Sequence, residues 1–134
     1  MVKPYIRGVG AVGVEAVATQ IVDAAYKVHT TIGKGLLESA YQSCMTYELQ
    51  KRGLQVECEV SQPLYYDGVR MEATYRLDML IEGCVVIENK AVDQLAQIHY
   101  AQLLHYLHLR GGGLGFLINW NVNLIKDGIK RLKV

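Results

Sequence analysis

Apolar residues recur with a helical period in the N-terminal third of the chain. Between residues 14 and 32 they fall on one side of a helix, at Val14, Ala18, Ile21, Val22, Ala25, Val28 and Ile32. Gly33 and Gly35 follow, and glycine is common just beyond helix C-termini. A second helical pattern covers residues 36–52 and ends at Gly53. The sequence therefore predicts two consecutive helices after a glycine-rich lead-in over residues 1–13.

The period changes to two after the second predicted helix. Apolar and acidic residues alternate over residues 56–60, which is typical of a half-buried strand. Asp67-Gly68 separates residues 64–66 from residues 69–71, and this dipeptide is a strong signal for a two-residue hairpin turn. Further strands are predicted at residues 74–81 and 84–90, on either side of a turn at Glu82-Gly83.

The C-terminal third returns to a helical pattern before its last strand. Residues 95–110 have helical spacing, three glycines end that helix, and residues 114–119 form a short apolar strand. The tail from Asn121 predicts either a last strand or a helical turn. The predicted order is α-α-β-β-β-β-α-β, which indicates one layered α/β domain over residues 14–134.

Composition agrees with a single folded domain. The chain has 134 residues, a usual length for one domain, and its 51% apolar and 20% charged residues exclude intrinsic disorder. No apolar run is long enough to cross a membrane. The cysteines form no C-x-x-C pair, so we expect reduced core side chains at Cys44, Cys58 and Cys84. With no signal-peptide pattern in residues 1–13, the expected location is the cytoplasm.

The net charge limits the kind of partner that the chain can bind. It is +1, with a pI near 7.7, whereas a dedicated nucleic-acid binder usually has a basic patch and a higher pI. A contact with nucleic acid would therefore need locally arranged basic groups or a metal ion. The near-neutral charge also agrees with a second possibility, a module that binds nucleic acid or a protein without catalysing a reaction.

Charged residues interrupt two neighbouring predicted strands. Asp78 lies on one, and Glu88 and Lys90 lie on the next, pointing to the same face because side chains alternate. Whether Asp78 reaches Glu88 depends on the register. Two such carboxylates could share a Mg²⁺ ion whose bound water attacks phosphorus, with the lysine stabilising the developing charge. The same pattern also occurs on solvated strand faces.

Three short motifs follow one another along the chain. Residues 35–41 read G-x-x-E-x-x-Y, Asp78 precedes the triplet Glu88-Asn89-Lys90, and residues 102–106 read Q-x-x-x-Y. In these motifs the chain resembles the bacterial GxxExxY protein family of the PD-(D/E)XK nuclease superfamily. The last motif is similar to that of the exonuclease-like branch of the superfamily. The resemblance extends from about Val14 to the C-terminus.

The resemblance implies a restriction-endonuclease-like fold with a central mixed sheet flanked by helices. It also implies a phosphodiester hydrolase that uses Mg²⁺ or Mn²⁺ and acts on nucleic acid, with DNA as the expected substrate. The metal-binding acids would be Glu38, Asp78 and Glu88. The catalytic set would comprise these acids together with Lys90, Gln102 and Tyr106. A homodimer is a further possibility that the sequence does not decide.

Two positions depart from the family pattern. Leu77 stands where the superfamily motif has proline, and Asn89 stands where the family usually has an aliphatic residue. By strand alternation Asn89 points away from Glu88 and towards the core. A buried amide without partners destabilises a fold by roughly 1–3 kcal/mol, so Asn89 is expected to find hydrogen bonds or to lie near the sheet edge.

Several of these residues also have structural interpretations. Glu38 would complement a helix dipole as a first-turn acid, and Gln102 and Tyr106 would form a helix edge at the core boundary. His29, near a predicted helix C-terminus, favours a structural histidine. The pair His105 and His108 could bind a metal, but no third ligand is evident. Three strand tyrosines, Tyr65, Tyr66 and Tyr75, could stack on bases, although strands favour tyrosine in any case.

Overall fold

The computed structural model describes residues 11–134, which fold into three helices and five strands. The helices are α1 (Ala11–Ile32), α2 (Glu38–Lys51) and α3 (Gln97–Leu109). The strands are β1 (Val56–Tyr66), β2 (Val69–Ile81), β3 (Val85–Lys90), β4 (Leu114–Asn119) and β5 (Ile129–Lys133). A 3₁₀ turn, Ile125–Asp127, precedes β5. Within this range no helix is long and apolar enough to cross a membrane.

The strands form one mixed sheet in the order β1-β2-β3-β4-β5. Neighbouring strands are antiparallel except β3 and β4, which run parallel with Lys90 opposite Asn119. Helix α3 connects these two strands, because parallel neighbours need a long crossover, which is usually a helix. The predicted α/β class and restriction-endonuclease-like architecture are confirmed.

The helices bury the two faces of the sheet separately. Side chains of α1 and α2, such as Ile21 and Met45, form one core with Met79, Ile87 and Phe116 of the sheet. On the other face, α3 forms a second core with the sheet: Leu77, Leu80, Val86, Leu103, Tyr106, Leu107 and Leu117. Because both faces are covered, every residue of β4 is buried. In this three-layer structure the carboxyl ends of the parallel strands β3 and β4 lie side by side at one edge of the sheet.

The predicted element order is wrong in the number of strands before α3. Three strands stand there, because β1 and β2 form one long hairpin around the Asp67-Gly68 turn. Both turn residues have positive φ, as the predicted turn requires. Pro63 interrupts the alternating pattern without ending β1, since an edge strand tolerates a residue that has no N–H to donate. The C-terminal tail forms both of the alternatives predicted for it.

The predicted lead-in and one of the cysteines also differ from expectation. Helix α1 begins at Ala11, inside the predicted lead-in, and residues 1–10 lie outside the described part of the chain. Cys84 is buried and Cys44 is half-buried, but Cys58 is exposed on β1, so the core position predicted for it is wrong. On this edge strand both neighbours of Cys58 are exposed as well, and Cys58 Sγ lies 3.3 Å from Thr46 Oγ1 of α2 rather than in either core.

A close backbone approach fixes the turn between the 3₁₀ segment and β5. A Cβ atom on Gly128 would lie 2.1 Å from the carbonyl oxygen of Asn119. We expect Gly128→Ala to lower the free energy of unfolding by about 3 kcal/mol, measured by urea denaturation. Gly111→Ala is the control, because nothing lies within 4 Å of its added carbon and only the left-handed backbone costs about 1 kcal/mol. Equal losses in the two variants would contradict the clash.

Candidate active site

Two carboxylates fill a gap between β2 and β3. The ladder of these strands ends at Met79 and Ile87, and continuing its register places Asp78 opposite Glu88. There the side chains take over the hydrogen bonds of the ladder. Glu88 Oε2 accepts the backbone N–H of Asp78 at 2.9 Å, and Asp78 Oδ2 accepts the backbone N–H of Asn89 at 2.8 Å. The register that the sequence left open therefore brings Asp78 and Glu88 together.

A distortion of β2 explains why Asp78 can enter this gap. Leu77 and Leu80 both pack in the α3 core, although regular alternation would place them on opposite faces. In β1, the residue that would pair with Asp78 is Glu59, which has a φ of 55°, and the β1–β2 register has no pair at these two positions. Asp78 is therefore unpaired in the β1–β2 register, at a local irregularity of both strands.

Burial disfavours the ionised form of both acids. Only 6% of Glu88 is exposed, and burial followed by the charge of Asp78 raises the pKa of Glu88 to about 8. Burial also raises the pKa of half-buried Asp78, and the N–H of Asn89 and the charge of Lys90 oppose that rise. Two carboxyl groups that lack sufficient positive charge form a favourable environment for a bound cation.

Lys90 is the cation of this site. It ends β3, two residues after Glu88, and its charge lowers the pKa of both acids. Its side chain forms no salt bridge with any carboxylate of residues 11–134. The ammonium group is therefore near the acid pair and free to bind another anion.

Glu38 faces the acid pair from the start of α2. Its Oε2 accepts the backbone N–H of Ala91 at 3.2 Å, beside the end of β3, and its charge contributes to the raised pKa of Asp78. Glu38 and Asp78 line one cleft of about 710 Å³, together with Ser39, Gln42, Ser43, Thr46, Tyr47, Gln50 and Cys58. In the described part of the chain, however, no three His, Cys, Asp or Glu side chains form a ready-made metal cluster. The two strand acids are together, while Glu38 stands across the cleft.

Helix α3 brings one of its two predicted site residues to the acids. Tyr106 is buried, and burial, then the charges of Glu88 and Asp78, raise its pKa. Its ring packs against that of Tyr75, with the ring centroids 5.1 Å apart. The ring of Tyr75 in turn contacts the ring of His105 edge-on, with a centroid distance of 5.6 Å. Gln102 lies one turn before Tyr106 and is exposed, with no hydrogen bond from its side chain to any described residue.

The comparison with protein families agrees with this arrangement of residues. The family model described as the PD-(D/E)XK nuclease superfamily matches residues 15–132. The chain belongs to the PD-(D/E)XK nuclease superfamily. The narrower GxxExxY assignment stays a prediction. No curated protein and no solved structure matches the chain.

The central residue of the PD-(D/E)XK triplet has the partners that a buried amide requires. Only 1% of Asn89 is exposed, and its Oδ1 accepts the indole N–H of Trp120 at 2.9 Å. Its Nδ2 lies 3.4 Å from Met79 Sδ and 3.5 Å from Gln42 Oε1. The expectation that Asn89 finds hydrogen bonds is therefore confirmed. His29 is also buried, and its Nε2 lies 3.2 Å from the carbonyl oxygen of Trp120, in agreement with the predicted structural role.

Sequence reasoning missed two residues that hold the PD-(D/E)XK strand in place. The backbone N–H of Trp120 donates to the carbonyl oxygen of Lys90 at 2.9 Å. The side chain of Asn119 bonds both backbone groups of Val92, at 3.1 and 2.9 Å. The available signal was a polar residue at the end of a buried strand, followed directly by the single tryptophan.

Proposed function

We propose that this PD-(D/E)XK protein is a Mg²⁺- or Mn²⁺-dependent nuclease that cleaves phosphodiester bonds by hydrolysis, with DNA as its expected substrate. The observation that supports the proposal is the pair of buried Glu88 and half-buried Asp78, with Lys90 beside it. Nothing in the regular sheet requires two acids at this position, and their burial disfavours the charged forms. Perturbed acids in a cleft are characteristic of functional sites.

The donor atoms fit a hard divalent cation. Mg²⁺ and Mn²⁺ prefer oxygen ligands, and Mg²⁺ is usually held by one or two carboxylates together with water. Asp78 and Glu88 would hold the ion, and Glu38 would face it across the cleft. When bound, the ion supplies a water of lowered pKa and polarises a phosphoryl oxygen.

The chain's own groups then have separate tasks. With a pKa of about 8, the Glu88 carboxyl is mostly protonated at neutral pH, and it would have to give up this proton to hold a cation. Lys90 donates hydrogen bonds from Nζ to the negative charge that develops on the phosphoryl oxygen. Tyr106 closes the α3 side of the site with its ring and limits the access of water to Glu88. Gln102 is exposed on the same helix and would contact the substrate rather than the acids.

Loss of one carboxylate tests the metal site directly. Asp78→Asn keeps an oxygen that can accept the N–H of Asn89 but removes the charge. We expect it to weaken Mn²⁺ binding by at least about 100-fold in calorimetric titration. Asp127→Asn, at an exposed position in the 3₁₀ turn, is the control and should bind as the parent chain does. Equal affinity of Asp78→Asn and the parent chain would refute the assignment.

A second candidate is a module that keeps the nuclease fold and binds nucleic acid or a protein without catalysis. Two observations favour it: both strand acids already accept backbone N–H groups, and residues 11–134 contain no ready-made three-ligand cluster. Retained DNA binding with no heat of Mn²⁺ binding at millimolar concentration would support this candidate. A homodimer and a cytoplasmic location stay predictions from the sequence.

A further inference from the structure

We propose that Trp120 is a positioning residue for the carboxylate of Asp78, acting through Asn89. This inference rests on the proposed function, since it concerns the same acid pair. Two hydrogen bonds form the connection. The indole N–H of Trp120 donates to Asn89 Oδ1 at 2.9 Å, and the backbone N–H of Asn89 donates to Asp78 Oδ2 at 2.8 Å. Asn89 thus accepts the first bond with its side chain and donates the second with its backbone, so its conformation connects Trp120 to Asp78.

The indole is held too firmly to rotate away from this bond. Trp120 is fully buried, and its ring lies parallel to that of Tyr41, with an interplanar angle of 6° and centroids 4.9 Å apart. Tyr41 is itself fixed, because its hydroxyl donates to the carbonyl oxygen of Gly33 at 2.7 Å. The backbone of Trp120 is bonded to Lys90. The indole donor is therefore preorganised by contacts with both α2 and β3.

Asn89 depends on this donor. The indole is the one group of residues 11–134 that donates to Oδ1, and the contacts of Nδ2 are longer, at 3.4 and 3.5 Å. A buried carbonyl oxygen left without a donor costs about 1–3 kcal/mol. Without the indole N–H, the side chain of Asn89 would rotate towards another donor. We expect this rotation to tilt the backbone amide of Asn89, which donates to Asp78. The carboxylate would then lose the orientation that it has opposite Glu88.

The role can be separated from general stability because other bonds hold the strand. Trp120→Phe removes the indole N–H and keeps an aromatic ring against Tyr41. The backbone bond to Lys90 and the two bonds from Asn119 to Val92 do not involve the indole, so β3 stays docked on β4. The matched control is Phe116→Leu, a fully buried residue of the same core whose ring bonds nothing at the end of β3.

The experiment has one measurement that needs no metal. Amide hydrogen exchange at Asn89, followed by NMR, reports directly on its bond to Asp78. We expect Trp120→Phe to exchange this amide about tenfold faster than the parent chain, and Phe116→Leu to change it no more than it changes other β3 amides. Unchanged protection in Trp120→Phe would overturn the inference.

The second measurement connects the bond to the acid pair. We expect Trp120→Phe to weaken Mn²⁺ binding by about tenfold and, in cleavage assays, to lower kcat with little change in KM. Asn89→Leu should have a similar effect, and the double variant should be no worse than either single one. Additive losses in the double variant would refute the coupling. A parent chain that binds no Mn²⁺ would refute the proposed function, while the exchange measurement would still decide the role of Trp120.

Discussion

Lys90→Ala is expected to lower the rate of Mg²⁺-dependent DNA cleavage by about 10³-fold while the chain remains folded. The reason is that Lys90 supplies the positive charge nearest the acid pair and forms no salt bridge with described carboxylates that would make it structural. Its removal should leave unfolding by urea almost unchanged. Single-turnover cleavage with saturating Mg²⁺ measures the effect on chemistry.

Two further variants make this expectation specific. Lys133→Ala, at an exposed position on β5, removes the same charge from another surface and should cleave as the parent chain does. Lys90→Arg keeps the charge but replaces a compact ammonium with a planar group, so its rate should lie between those of the parent chain and Lys90→Ala. If Lys90→Ala cleaves as fast as the parent chain, Lys90 has no catalytic role.

The metal-free protein should be less stable at alkaline than at acid pH because of Glu88. Its pKa is about 8 in the folded chain and 4.5 without the fold, so the folded state holds this proton more tightly. The stabilisation is therefore full below pH 4.5 and is lost as the pH rises through about 8. The difference corresponds to about 5 kcal/mol at most.

Urea unfolding in the presence of a chelator, between pH 5 and pH 9, measures this dependence. Glu88→Gln should remove most of the slope, because an amide does not titrate, whereas Glu72→Gln at an exposed position should keep it. Mn²⁺ should stabilise the parent chain increasingly as the pH rises, since only the ionised carboxyl binds the ion. A chain that becomes more stable between pH 5 and pH 8 without metal would contradict the burial of a protonated Glu88.

The local pattern of the sequence was enough to predict most elements but not the geometry of the acids. Period and glycine positions predicted β4 at its observed limits, and the Asp67-Gly68 turn is where it was expected. The meeting of Asp78 with Glu88 follows from the β2–β3 register, which pairs Met79 with Ile87. The alternation of β2 is also broken at Asp78, opposite Glu59. The pattern along a single strand indicates neither its register with the next strand nor such a break.

The residues that support the site could not be predicted from the sequence for a different reason. The need of Asn89 for hydrogen bonds followed from its expected burial, but its donor, Trp120, lies directly after β4 and is separated from Asn89 in the sequence by the whole of α3. Only the parallel register of β3 and β4, which places Lys90 opposite Asn119, brings Trp120 beside the triplet. Cys58 is the opposite case: its strand pattern indicated burial, but its side chain lies at an edge strand beside the cleft of α2 and is exposed.

The position of Trp120 gives the protein an intrinsic optical probe. It is the one tryptophan among 134 residues, so indole fluorescence reports on a single location. Its ring is stacked on Tyr41 and bonded to the residue between Glu88 and Lys90. Any ligand that shifts the acid pair should change the emission intensity of the unlabelled chain, and unfolding should move the emission to longer wavelength as the ring enters water.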